Sequence, residues 1–191
     1  METKEEIRKR LLSQRLSLDS EERNRLSRVI QERVLGSRFL ERVGTVGLYA
    51  PVKNEVETGW IFEELKKRGI RMLYPKVGKD GIEFFKTVRL EDLSPGAWGI
   101  LEPNRGEKVD RREIDLITLP GLAFDERGHR IGFGKGLFDN FLHGFQGIKV
   151  GLSYEFQMLR ELPENSGDVR CGWVVTEKRV IRGEDPGGDE L

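Results

Sequence analysis

The chain of 191 residues has one cysteine, Cys171, two histidines and seven prolines. A single thiol excludes an internal disulfide framework and a multi-cysteine metal centre. His129 and His143 lack metal-ligand spacing and belong to no Ser-His-Asp or Cys-His arrangement, so both are expected at the surface. Charge of one sign is also missing: 33 Lys and Arg balance 33 Asp and Glu, which removes the overall field that draws a protein to nucleic acid or to an acidic membrane. Apolar runs are only a few residues long, and neither a leader nor a spanning segment is recognisable. The expectation is a cytoplasmic monomer with no nucleic-acid or membrane partner.

What the chain does have is charge and glycine. A charged fraction of 35% implies a heavily ion-paired surface, and the length suits one domain with a substantial core. Residues 2–42 lean basic, while residues 183–191 carry acids and no base. That glycine-rich acidic tail is expected to be disordered, leaving residues 1–182 as a single domain.

Apolar residues recur every three or four positions in residues 3–17 and 20–36, which predicts two amphipathic helices. Asp19 or Ser20 suits the second helix's N-cap, and Gly36 its end. Strands are expected at residues 45–50, 70–77, 82–88, 114–119 and 148–153, with a last strand or hairpin at 173–181. Helices are expected at 58–68 and 156–162. Strands alternating with helices give a single-domain α/β fold, a mainly parallel sheet with helices on both faces in a Rossmann-like three-layer arrangement, and the N-terminal helices packed on it. Ligands in such sheets gather at the carboxyl ends of strands, here the loops after Ala50, Pro120 and Ser153.

The densest signal is Arg130–Asp139, Arg-Ile-Gly-Phe-Gly-Lys-Gly-Leu-Phe-Asp. Glycine admits positive φ and close backbone approach, and successive exposed N–H groups form a cradle for an anion. The run matches neither Gly-x-x-x-x-Gly-Lys-Ser/Thr nor Gly-x-Gly-x-x-Gly. A plain glycine-rich turn is the competing reading, but Arg130, Lys135 and Asp139 add charges that a turn does not need. Lys4 and Arg8 share a helix face and, from spacing alone, read as solvated charges. Glu55 suits a binding loop or a helix N-terminus. Asp168 suits a turn. Trp98 reads as a stacking wall or a core anchor.

Taken together, these segments resemble the 5-formyltetrahydrofolate cyclo-ligase (methenyltetrahydrofolate synthetase) family. The resemblance spans roughly residues 3–178 and rests on Lys4…Arg8, on Tyr49-Ala50-Pro51…Glu55-Val56-Glu57-Thr58 and on Gly96-Ala97-Trp98-Gly99-Ile100-Leu101-Glu102-Pro103. It also rests on Leu119-Pro120-Gly121-Leu122-Ala123-Phe124-Asp125 with the glycine run, on Leu162-Pro163…Asp168 and on Val174-Val175-Thr176-Glu177. It implies an ATP- and Mg²⁺-dependent ligase that turns 5-formyltetrahydrofolate into 5,10-methenyltetrahydrofolate, releasing ADP and phosphate. By position, Lys4, Arg8 and the run Arg130, Ile131, Gly132, Phe133, Gly134, Lys135, Gly136, Leu137 and Phe138 would contact ATP. Asp139 and Asp168 would hold Mg²⁺. Ala50, Glu55 and Trp98 would line the folate. The chain departs from the family at Leu137-Phe138, where Tyr-Tyr is usual, and at Gly172, where a second Asp is common. The first departure motivates an alternative: a same-fold relative that binds ATP but acts on another substrate, or does not catalyse.

Overall fold

In the computed structural model, which describes residues 1–184, the two N-terminal helices form where the apolar spacing puts them. Helix α1 covers Lys4–Leu16 and starts with a capping box, the Thr3 hydroxyl accepting from the Glu6 N–H and the Glu6 carboxylate accepting from the Thr3 N–H. Helix α2 covers Ser20–Leu35, with the Asp19 side chain accepting from the Glu22 N–H at 2.8 Å. Helix α3 covers Gly59–Lys67 and α4 the short stretch Leu137–Leu142.

The described residues also form twelve strands, in chain order β1 Thr45–Gly47, β2 Arg71–Gly78, β3 Gly81–Lys86, β4 Leu93–Pro95, β5 Leu101–Pro103, β6 Lys108–Val109, β7 Leu116–Leu119, β8 Ala123–Phe124, β9 Arg130–Ile131, β10 Ile148–Leu152, β11 Trp173–Val175 and β12 Val180–Arg182. Eight form one sheet in the order β12-β11-β10-β7-β1-β2-β3-β6. Its centre, β11-β10-β7-β1-β2, is parallel, and the edges are antiparallel. β4 pairs with β5, and β8 with β9, as small separate hairpins.

Side chains alternate across the sheet, so each strand feeds two cores. Met72 and Tyr74 join Val46, Leu116 and Val150 beneath α2 and α3. Leu73, Ile117 and Leu119 join Phe84, Phe124 and Leu142 on the opposite face, beneath α4. Ile7 and Leu11 of α1 pack on Ala123 and Ile131 of the β8–β9 hairpin, so α1 is anchored beside the glycine run. The Phe124 ring lies between two glycines: a Cβ at Gly121 would sit 2.7 Å from it, and one at Gly151 2.5 Å.

Several details differ from the sequence reading. Residues 156–162 form no helix beyond the 3-10 turn Glu155–Gln157, because the chain pairs sideways with β8: Met158 bridges Phe124, and the Leu159 N–H donates to the Phe124 carbonyl. Helix α4, hidden among flanking glycines, was not expected. His129 is buried, its Nδ1 2.8 Å from Asp125 Oδ2, rather than at the surface. The Gly183 N–H donates to Gly172 and the Glu184 N–H to Arg127, so residues 183 and 184 are held in the fold. The rest of the expected tail, residues 185–191, lies outside the described residues. Among the described residues, no helix is long and apolar enough to cross a membrane.

Candidate functional site

Loops leaving the carboxyl ends of β1 and β7 meet the β8–β9 hairpin, the glycine run, α1 and the β4–β5 hairpin around one cavity of about 560 Å³. Every residue singled out by position lines it: Lys4, Arg8, Ala50, Glu55, Trp98, the whole run Arg130–Asp139, and Asp168. Gly172 does not; its backbone pairs with Lys149 and Gly183.

One end of the cavity is built from charge. β9 ends at Ile131, and the run turns into α4 through Gly134 (φ +96°) and Gly136 (φ +66°), conformations that L side chains adopt only with strain. The Arg8 Nε–H donates to the Gly132 carbonyl at 2.9 Å, and Gly134 lies close enough that a Cβ would come 3.4 Å from the Arg8 guanidinium carbon. Arg130 is buried; its Nη1 donates to the Pro120 carbonyl at 3.0 Å and its Nη2 to Asp139 at 3.2 Å, while Nε has no partner. Lys4 Nζ lies 2.7 Å from Asp168 Oδ2. Burial pushes the Asp168 carboxyl up, but the Lys4 hydrogen bond, the Asn165 N–H and the charges of Lys4 and Arg130 outweigh it and hold Asp168 below the ordinary aspartate value. Each carboxylate here is thus paired with a cation.

The mouth is set by a strained aromatic. Trp98 adopts φ +54° and is 58% exposed, with the Lys135 ammonium 3.5 Å from its ring centroid. This contact joins the β4–β5 hairpin to the glycine run and leaves the other ring face available for stacking.

The other end is mostly apolar around a buried acid; a second acid lining the cavity, Glu102, accepts from the Val77 N–H at 3.3 Å. Glu55 is 5% exposed and accepts from the Val52 N–H through Oε2 at 3.0 Å. Burial pushes its carboxyl up to about 7, against the opposing pull of Arg15, the Val52 N–H, Arg130 and Lys53. Tyr49, Pro75, Val77, Ile82 and Ile100 supply the walls, and none of these was singled out from sequence. Val77 and Ile82 face each other across the β2–β3 hairpin, and Tyr49 and Ile100 lie within segments that carry the family resemblance, but these are ordinary apolar residues and no charge or glycine pattern marks them as lining a site. Arg15, which also went unnoticed, follows Ile7 and Leu11 at four-residue spacing; a cation on the inward stripe of an amphipathic helix was the available signal.

Comparison with known proteins identifies the family. Residues 1–177 match the 5-formyltetrahydrofolate cyclo-ligase family. The chain is 34% identical over 161 residues to a probable 5-formyltetrahydrofolate cyclo-ligase of Schizosaccharomyces pombe, covering 74% of this chain and 79% of that one. The solution structure of 5,10-methenyltetrahydrofolate synthetase from Aquifex aeolicus superposes with a TM-score of 0.86 at 38% identity, covering 98% of this chain and 95% of that one. A Mycoplasma pneumoniae 5,10-methenyltetrahydrofolate synthetase gives a TM-score of 0.75 at 29% identity, covering 91% and 98%. A cavity at the carboxyl edge of the sheet, a cationic glycine run on one side and a buried acceptor on the other are therefore features of a chain that belongs to the 5-formyltetrahydrofolate cyclo-ligase family and is an enzyme of that kind.

Proposed function

We propose that the enzyme closes 5-formyltetrahydrofolate to 5,10-methenyltetrahydrofolate with cleavage of ATP, through a phosphorylated formyl oxygen. The observation that carries this reading is the cavity's polarity: an anion cradle and a buried hydrogen-bond acceptor face one continuous space. An amide oxygen is a weak nucleophile, so it must be held in line with the phosphorus while charge on the transferring group is neutralised. The formyl oxygen attacks the γ-phosphorus and ADP leaves. N10 then adds to the activated carbon and loses its proton. The N5 lone pair expels phosphate, which carries away the former formyl oxygen.

Lys4, Arg8, Arg130, Lys135 and the N–H groups of the glycine run bind the phosphates. Asp139 and Asp168 are the residues for Mg²⁺, which offsets phosphate charge when bound. Both carboxylates line the cavity that would receive the phosphates, and two carboxylates with phosphate oxygens and water make an oxygen-only donor set suited to Mg²⁺. Glu55 accepts from the pterin's N–H edge, the Ala50 backbone borders it, and Trp98 stacks on the folate. Phe138 keeps a ring where the family has Tyr, 5.8 Å from the Arg130 guanidinium, so packing is retained without the hydroxyl. Mixing the protein with 5-formyltetrahydrofolate, ATP and Mg²⁺ should give the absorbance rise of the methenyl product. No rise at high enzyme concentration contradicts the proposal, as does an equal rise without ATP.

A further inference from the structure

The bulkiest fully buried side chain among the described residues is a cation, Arg15, only 1% exposed. Ile7 and Leu11 show what the inward stripe of α1 otherwise carries, and an apolar residue at position 15 would avoid desolvating a charge. The guanidinium is instead spent on the cavity's framework. Its Nε–H donates to the Lys53 carbonyl at 2.9 Å and its Nη1 to the Gly121 carbonyl at 3.0 Å, tying two cavity-lining loops to the helix that bears Lys4 and Arg8. Its Nη2 makes no hydrogen bond and lies 4.0 Å from Glu55 Oε1. Glu55 Oε2 is occupied by the Val52 N–H. Two neutral carbonyls cannot compensate a buried charge, whereas the adjacent carboxylate does.

We propose that Arg15 is a positioning residue, holding the Glu55 carboxylate ionised and oriented with Oε1 as its free acceptor. This rests on the reading of Glu55 as the pterin acceptor. The groups acting on Glu55 are Arg15 from α1, Arg130 from β9, and Lys53 with the Val52 N–H from its own loop; Tyr49, two residues past β1, also feels its charge. Of those favouring the carboxylate over its burial, Arg15 is the strongest. Its removal leaves burial less opposed, so protonation of Glu55 moves to higher pH.

The test is steady-state cyclisation across pH for the wild type, Arg15→Gln, Arg15→Lys and Glu55→Gln, together with carbon-13 NMR titration of the Glu55 carboxyl. In the wild type, the KM for 5-formyltetrahydrofolate should rise as pH falls below about 7. Arg15→Gln should move this limb up by about one unit, about a tenfold higher KM on the acid side, with kcat changed less than about threefold. Arg15→Lys keeps the charge and loses the fork, so its limb should stay near the wild-type position while KM rises about threefold or more at every pH. A loss in Arg15→Gln that is uniform across pH, with an unshifted Glu55 titration, overturns the proposal. If the glutamine variant does not fold, an unchanged KM in Arg15→Lys overturns it. If Glu55→Gln leaves the folate KM unchanged, the pterin reading fails instead. The carboxyl titration then still decides the Arg15 proposal, an upward shift in Arg15→Gln supporting it and none overturning it.

Discussion

The two ends of the cavity handle charge in opposite ways. At the glycine run, cations and carboxylates are paired with each other, Lys4 with Asp168 and Arg130 with Asp139, and the loop beside them is partly exposed. At Glu55 one acid sits among apolar walls with a fully buried arginine behind it. The difference follows from what each end is proposed to receive. A nucleotide arrives highly charged and solvated, so its site needs ions whose internal partners can be exchanged for phosphate and magnesium. A neutral heterocycle brings only directional N–H groups, so its site needs an acceptor already stripped of water, where each hydrogen bond is worth more.

Substitutions should separate the ends. The largest effect is expected for Asp139→Ala, which removes a proposed Mg²⁺ ligand and leaves Arg130 without its carboxylate; product formation should fall at least about a thousandfold, read by the absorbance assay. Glu55→Gln should raise the folate KM about 10- to 100-fold, the loss of hydrogen bonds to a charged acceptor, while the ATP KM stays within about twofold. Gly134→Ala forces a side chain into φ +96° and should raise the ATP KM about tenfold with little change for folate. Trp98→Ala removes an exposed ring and its contact with Lys135, and should raise both KM values by about two- to fivefold. Equal effects of Glu55→Gln and Gly134→Ala on both substrates would break the division.

The sequence carried the frame and the inventory of the site better than its walls. Helices α1 and α2 were legible because capping residues and apolar period agree. Helix α4 was not, since its six residues lie among glycines and hold too little period to read. The segment 156–162 has helix-like composition, yet lateral pairing with Phe124 takes its backbone donors. The charged and glycine residues of the cavity sit in compact motifs, so their positions could be marked; that they share one space followed only from the family resemblance and not from composition or spacing. Trp98 stood open between wall and anchor, and its exposure against Lys135 places it at the mouth. Val77 and Ile82 are cross-strand partners in the β2–β3 hairpin, and Ile100 joins them only because the separate β4–β5 hairpin packs on β2, while His129 is drawn inside by Asp125.

The division between the ends is tested most directly by measuring both KM values in one pH series with Mg²⁺ in excess. Burial raises the Glu55 carboxyl to about 7; under the proposal that it binds folate as a carboxylate acceptor its proton must be off for binding, and the folate KM should rise about tenfold per unit as pH falls below that value. Asp168 is held below the ordinary aspartate range, so the ATP KM should stay flat over the same interval. A folate KM that is flat from about pH 6 to 8.5, or one that changes in step with the ATP KM, would contradict the account.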